Sequence, residues 1–149
     1  MITNTLILLF DLNLNKLISE IELYNNDQDL WKVEKNISNS AGNLALHIIG
    51  NLNTYIGKEI GKTNYIRNRE LEFSDKNILR QDLIERINQT IIMIKNSLIG
   101  LTGEDLDKEY PVLVLKEMTS TEYLLIHLTS HLTYHLGQIN YHRRILCYN

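Results

Sequence analysis

Apolar residues recur at helical intervals along most of this chain. Between residues 4 and 24, Leu6, Leu9, Phe10, Leu14, Leu17, Ile18 and Ile21 fall at i, i+3, i+4 spacing, which predicts an amphipathic helix. Residues 25–39 open N-N-D and read as an irregular connection in which Trp31 is one large apolar plug. A second helix is expected from near Ser40 to Gly57–Gly61. Gly42 and Gly50 inside it cost about 1 kcal/mol each against Ala, so each should mark the close approach of another backbone. Residues 62–74 (K-T-N-Y-I-R-N-R-E-L-E-F-S) read as a structured loop, with Ser74 as the N-cap of a third helix of about 25 residues. Leu79, Leu83, Ile87, Ile91, Ile94 and Leu98 form its stripe, and Gly100 and Gly103 close it.

The next stretch, T-G-E-D-L, has Thr102 and Asp105 at capping-box spacing and predicts a short turn. Pro111 is followed by V-L-V-L, a candidate extended piece. Thr119 and Glu122 have capping-box spacing too and would open a last helix reaching about Leu146. One proline in 149 residues agrees with an all-α fold. Four long helices with two long connections predict a four-helix bundle. That length is one domain with a sizeable core, and no internal repeat is visible.

Composition narrows the function classes. A net charge of −3 gives no nucleic-acid footprint. No apolar run approaches the roughly 18 residues that a membrane span needs. The first residues lack a basic region and a cleavage site, so no signal peptide is expected. Cys147 is the single cysteine, which makes a reducing cytoplasmic location the expectation.

The chemistry lies in the histidines. Four of five fall within E-Y-L-L-I-H-L-T-S-H-L-T-Y-H-L-G-Q-I-N-Y-H-R-R, as His127, His131, His135 and His142. On a helix they lie at roughly 0°, 40°, 80° and 60°, one narrow stripe. Imidazoles four residues apart can grip one metal ion, and His47, in the apolar run L-A-L-H-I-I-G-N-L, can add a third nitrogen from a facing helix. Such a site keeps open positions, where water is acidified or a thiolate binds directly. Leu132 follows His131, so the built-in Glu of the zinc-protease motif is missing. The alternative is that these are buried imidazoles hydrogen-bonded for packing alone.

Polar neighbours fit either reading. Asn43, His47 and Asn51 are spaced by four, and Gln138 lies three residues after His135. These amides can hold the free imidazole N–H groups as a supporting shell, or make ordinary polar contacts. Tyr55, Tyr134 and Tyr141 can donate to an anion, although lining a core or its edge is the commoner role. Arg67 and Arg69 can pair with Glu70 or Glu72, the preferred reading, or reach a substrate carboxylate.

Three segments carry a resemblance: N-S-A-G-N-L-A-L-H-I-I-G-N-L at 39–52, Y-I-R-N-R-E-L-E-F at 65–73, and H-L-T-S-H-L-T-Y-H-L-G-Q-I-N-Y-H-R-R at 127–144. In order and spacing the chain resembles the DinB-like (YfiT-like) superfamily of bacterial four-helix metalloenzymes over nearly its whole length. The resemblance implies metal ligands at His47, His131 and His135, with His127 and His142 lining the pocket or serving structure. It further implies a divalent ion such as nickel or zinc, a homodimer and a small-molecule substrate. Some relatives are thiol-dependent S-transferases using a low-molecular-weight thiol. Three expectations follow: a metal-dependent S-transferase, a hydrolase using metal-bound water, or a non-catalytic metal-binding dimeric bundle.

Overall fold

The computed structural model describes residues 1–147, and among them the regular structure is all helical, with no strand. Six α-helices follow in order: α1 (Ile2–Glu22), α2 (Ala41–Leu52), α3 (Arg69–Ser74), α4 (Arg80–Leu98), α5 (Gly103–Asp107) and α6 (Thr121–Leu146). Helix α1 packs on α4 and α6, and α2 packs on α3, α4 and α6. The core lies between the four longer ones, where Leu14, Leu17, Ile48, Leu52, Ile87, Leu128 and Leu132 are all enclosed.

Each helix buries the stripe its spacing dictates, with local exceptions. In α1, Leu6, Phe10, Leu14, Leu17 and Ile21 face inward, but Leu9 joins Leu8 and Leu12 on the exposed side. Helix α2 is buried on every side, as its nearly continuous apolar composition requires. The Ser40 hydroxyl caps it by accepting from the Asn43 backbone N–H. A π-helical turn, Asn53–Lys58, prolongs it to the end expected from the sequence. Trp31 closes a 3-10 turn at Asp27–Trp31 and is buried, filling the plug role. Its ring explains Gly42, where a Cβ would stand 2.6 Å from it. The close approach is therefore by a side chain rather than a backbone.

Three local expectations fail for identifiable reasons. Residues 69–74 are helical, capped by the Asn68 side chain, so Ser74 ends a helix and starts none. Six residues are too few for a period to show in an 11–18-residue window. Helix α4 begins at Arg80 after an irregular segment in which Asn77 is left-handed, with Leu79 exposed at its N-cap position and no side-chain cap. The V-L-V-L segment forms no strand. The pairing near it is one antiparallel bridge between Glu109 and Ser120, which brings the start of α6 back against the end of α5. Ser120, one residue after the expected cap, accepts from the Tyr123 N–H. The Thr102–Asp105 capping box is present.

Candidate metal centre

Helices α2 and α6 run antiparallel past each other. Leu44 near the start of α2 shares a cleft with His142 and Ile145 near the end of α6, and one turn on His47 meets His131 and His135. His47 is buried; His131 and His135 are half-buried. The Nε2 atom of His131 lies 3.3 Å from that of His47 and 3.1 Å from that of His135. One nitrogen from each ring falls within 4.8 Å of the other two.

The outer edges of two rings fix which nitrogen faces inward. His47 donates its Nδ1–H to Glu72 Oε1 at 3.0 Å. His135 donates its Nδ1–H to Gln138 Oε1 at 2.7 Å. Both rings therefore turn an Nε2 lone pair toward His131. A single N–H on His131 can satisfy one of them, not both. Burial, followed by the neighbouring imidazoles, pushes His131 down to about 4, and burial lowers His135 as well. Convergent lone pairs on rings kept neutral are the donor set of a cation site. Nitrogens bound 2.0–2.1 Å from one tetrahedral ion stand about 3.3 Å apart, close to the observed separations. The three residues thus fit a divalent metal.

Glu72 is the residue that the sequence reading left without a role at the imidazoles. It is buried, and Arg67 grips its carboxylate through Nε at 2.8 Å and Nη2 at 2.9 Å. Burial raises its pKa, but hydrogen bonds from His47 and Arg67 outweigh that and hold it below the usual carboxylate range. The Arg67 guanidinium also lies over the Tyr55 ring, 5.7 Å from its centroid. Arg67 thus makes the preferred salt bridge, whereas Arg69 forms no ion pair among the described residues. Gly50 provides the space for this pair, since a Cβ there would overlap the Glu72 carboxylate. A mid-helix glycine facing an acidic segment was the available signal for Glu72.

The other candidates separate clearly. Asn43 makes no hydrogen bond to an imidazole among the described residues; its amide donates to the carbonyls of Glu72 at 3.0 Å and Asp75 at 2.8 Å and so pins α3 to α2. Gln138 bonds His135, as described. Asn51 is buried, and its Oδ1 has no partner among the described residues. His127 stacks near His131, with ring centroids 6.5 Å apart. Tyr134 is exposed beside His135, 5.4 Å between rings. His142 is buried away from the triad, where it donates from Nε2 to the Lys32 carbonyl at 2.8 Å and accepts at Nδ1 from the Tyr24 hydroxyl at 2.6 Å. Burial pushes the Tyr24 phenol well up, so it remains a donor. Tyr24→Phe should lower stability by about 1–3 kcal/mol, since it orphans a buried nitrogen, and leave metal binding unchanged. Urea melts and metal content check the two halves separately.

The depressed histidines predict a pH dependence for the metal-free protein. An unfolded chain takes up the His131 proton near 6.5, whereas the folded one takes it up near 4. Between these values the unfolded state holds more protons, so each step down in pH favours unfolding. Melting temperature should fall from pH 6.5 toward pH 4, and bound metal should raise it across this window while leaving the slope in place, because the unfolded chain still takes up the proton.

A cleft of about 330 Å³ borders the triad at His135, between residues 36–39 and the Gln138, Tyr141 and Ile145 face of α6. None of the helices among the described residues is long and apolar enough to cross a membrane. A search of curated proteins finds no match. Residues 13–149 match the model of a family described as "Protein of unknown function (DUF1572)", and the chain, with its three converging histidines, belongs to that family.

Proposed function

We propose that this protein is a DinB-like four-helix bundle that holds one divalent metal, nickel, zinc or a similar ion, through His47, His131 and His135. We read it as a metal-dependent enzyme, first as a thiol-dependent S-transferase. The observation that carries the metal reading is the convergence of the three Nε2 atoms, two of them fixed as acceptors by Glu72 and Gln138. A metal there supplies a Lewis acid that favours the deprotonated form of a bound thiol or water. The chain's own residues orient the imidazoles, exclude water from the α2 side through the burial of His47, and offer a cleft beside His135 for a small-molecule substrate.

Glu72 is engaged by Arg67 and His47, which leaves it no part as a general base. That favours a reaction in which the nucleophile is activated by the metal alone. The second reading is a hydrolase using metal-bound water, which the same open position would hold. A homodimer belongs to the proposal, supported by exposed Leu8, Leu9 and Leu12 on α1 and Tyr134 and Tyr141 on α6. Cytoplasmic residence, supported by the single cysteine, belongs to it too.

Nickel- or zinc-loaded protein, assayed with a chromogenic electrophile and a small thiol and in parallel with activated esters and amides, tests the reaction class. S-transfer that disappears in His131→Ala supports the first reading. Ester or amide turnover without thiol replaces it with the second. Neither activity in loaded protein leaves a non-catalytic metal-binding bundle.

A further inference from the structure

The cleft beside His135 has walls whose chemistry a metal site does not by itself require. Its apolar surface comes from Ile37, Leu44 and Ile145. Its polar surface comes from Asn36, Ser38 and Asn39 on one side and from Gln138 and Tyr141 of α6 on the other. Among the described residues, no Lys, Arg, Asp or Glu lines it. The two histidines in the lining have their ring nitrogens committed elsewhere. His142 donates to the Lys32 carbonyl and accepts from the Tyr24 hydroxyl. His135 gives its Nδ1–H to Gln138 and turns Nε2 to His131. The cations next to these histidines are engaged too. Lys32 pairs with Asp29, Arg143 pairs with Glu20, and Arg144 lies over the Tyr141 ring, 5.3 Å from its centroid. Arg67, beside His47, is held by Glu72. The wall at 36–39 is anchored by Ser40, which caps α2, and it turns at Asn36 in a left-handed conformation (φ 64°) that asparagine tolerates.

An ion entering such a cleft loses water without gaining a counter-charge. An amide or hydroxyl group finds donors and acceptors instead: Asn, Ser and Tyr side chains can do both, and Gln138 keeps its amide N–H groups to give. From this lining we propose that the cleft binds uncharged molecules that join an apolar body to an amide or hydroxyl group, and selects them over ions of either sign. The inference rests on reading this cleft as the substrate site, and it names the class of substrate. A co-substrate carrying a carboxylate or an ammonium group finds no counter-charge along these walls.

Three indoles of one skeleton test this: indole-3-acetamide is neutral, indole-3-acetate is an anion and tryptamine is a cation at pH 7. Each is titrated into full-length protein with labelled Ile and Leu methyl groups, and the shifts are followed by NMR. Indole-3-acetamide should move the Ile37, Leu44 and Ile145 methyls and bind roughly tenfold or more tightly than either ion. Using ions of both signs removes the effect of the net charge of −3. Ser38→Lys, at an exposed position of the wall, places a cation in the lining and should narrow or reverse the preference over indole-3-acetate. Failure of indole-3-acetamide to move these methyls overturns the proposal. So does either ion binding there as tightly as the amide, and so does a preference that Ser38→Lys leaves unchanged. The titrations are made before zinc is added, so failure of the protein to load zinc brings down the metal reading and leaves this result standing.

Discussion

His131→Ala should abolish stoichiometric metal uptake while the helices remain. His131 Nε2 stands between the other two, at 3.3 Å and 3.1 Å, so its removal separates the set. Removing a group that merely orients a metal-bound imidazole costs roughly 10–100-fold in affinity, and removing a ligand should cost more. The fold should tolerate the change. His131 is half-buried, and the packing of α6 rests on Leu124, Leu125, Leu128, Leu132, Leu136 and Ile139. Its loss also removes a group that burial holds near pKa 4, so the metal-free variant should lose less stability than wild type on acidification. Metal titration followed by calorimetry, with circular dichroism as the fold control, checks both statements. Tight binding by the variant would show that the ion, if any, is held elsewhere.

Gly50→Ala is expected to damage both the fold and the site, although neither atom it adds to nor any it removes belongs to a histidine. A Cβ at this position overlaps the Glu72 carboxylate, which already sits between Arg67 and His47. Displacing Glu72 strands Arg67, only 14% exposed at its side chain, and frees the Nδ1–H of His47. Breaking a buried ion pair costs about 3–5 kcal/mol, against about 1 kcal/mol recovered from the better helix propensity of alanine. The balance is a substantial net destabilisation. Metal affinity should fall within the roughly 10–100-fold range of other lost outer-shell partners. Glu72→Gln separates the two effects: it keeps an acceptor for His47, so it should hold metal better than Gly50→Ala. Chemical denaturation and metal titration on both variants measure them. A Gly50→Ala protein as stable as wild type would mean that Glu72 does not lie where α3 places it.

The parts of this molecule that rest on a helical period were legible in its sequence. The stripes of α1 and α4 repeat long enough to fix most of their inward faces, and the same period aligns His131 with His135 on α6. His47 is suggested by its chemistry in an apolar run, and the resemblance implies the same ligand, but nothing local to L-A-L-H-I-I-G-N-L says which helix it faces. What stayed hidden was non-periodic. Helix α3 is too short to carry a pattern, and both Asn68 and Ser74 are good N-cap residues, so the cap fell on the wrong one. With that helix read as loop, Glu72 had no fixed direction. Asn43 was placed beside the imidazoles by its spacing from His47, yet its amide bonds two backbone carbonyls of the α3 region instead. The family to which the chain belongs carries no assigned reaction, so the chemistry rests on the site alone.

X-ray absorption at the metal edge, on protein purified without a histidine tag and loaded to one ion per chain, tests the central claim most directly. Three imidazole nitrogens at roughly 2.0–2.1 Å, with His47→Ala and His131→Ala each failing to load, is the predicted result for zinc. A protein that takes up no divalent ion, or one whose metal shell lacks imidazole, would contradict it.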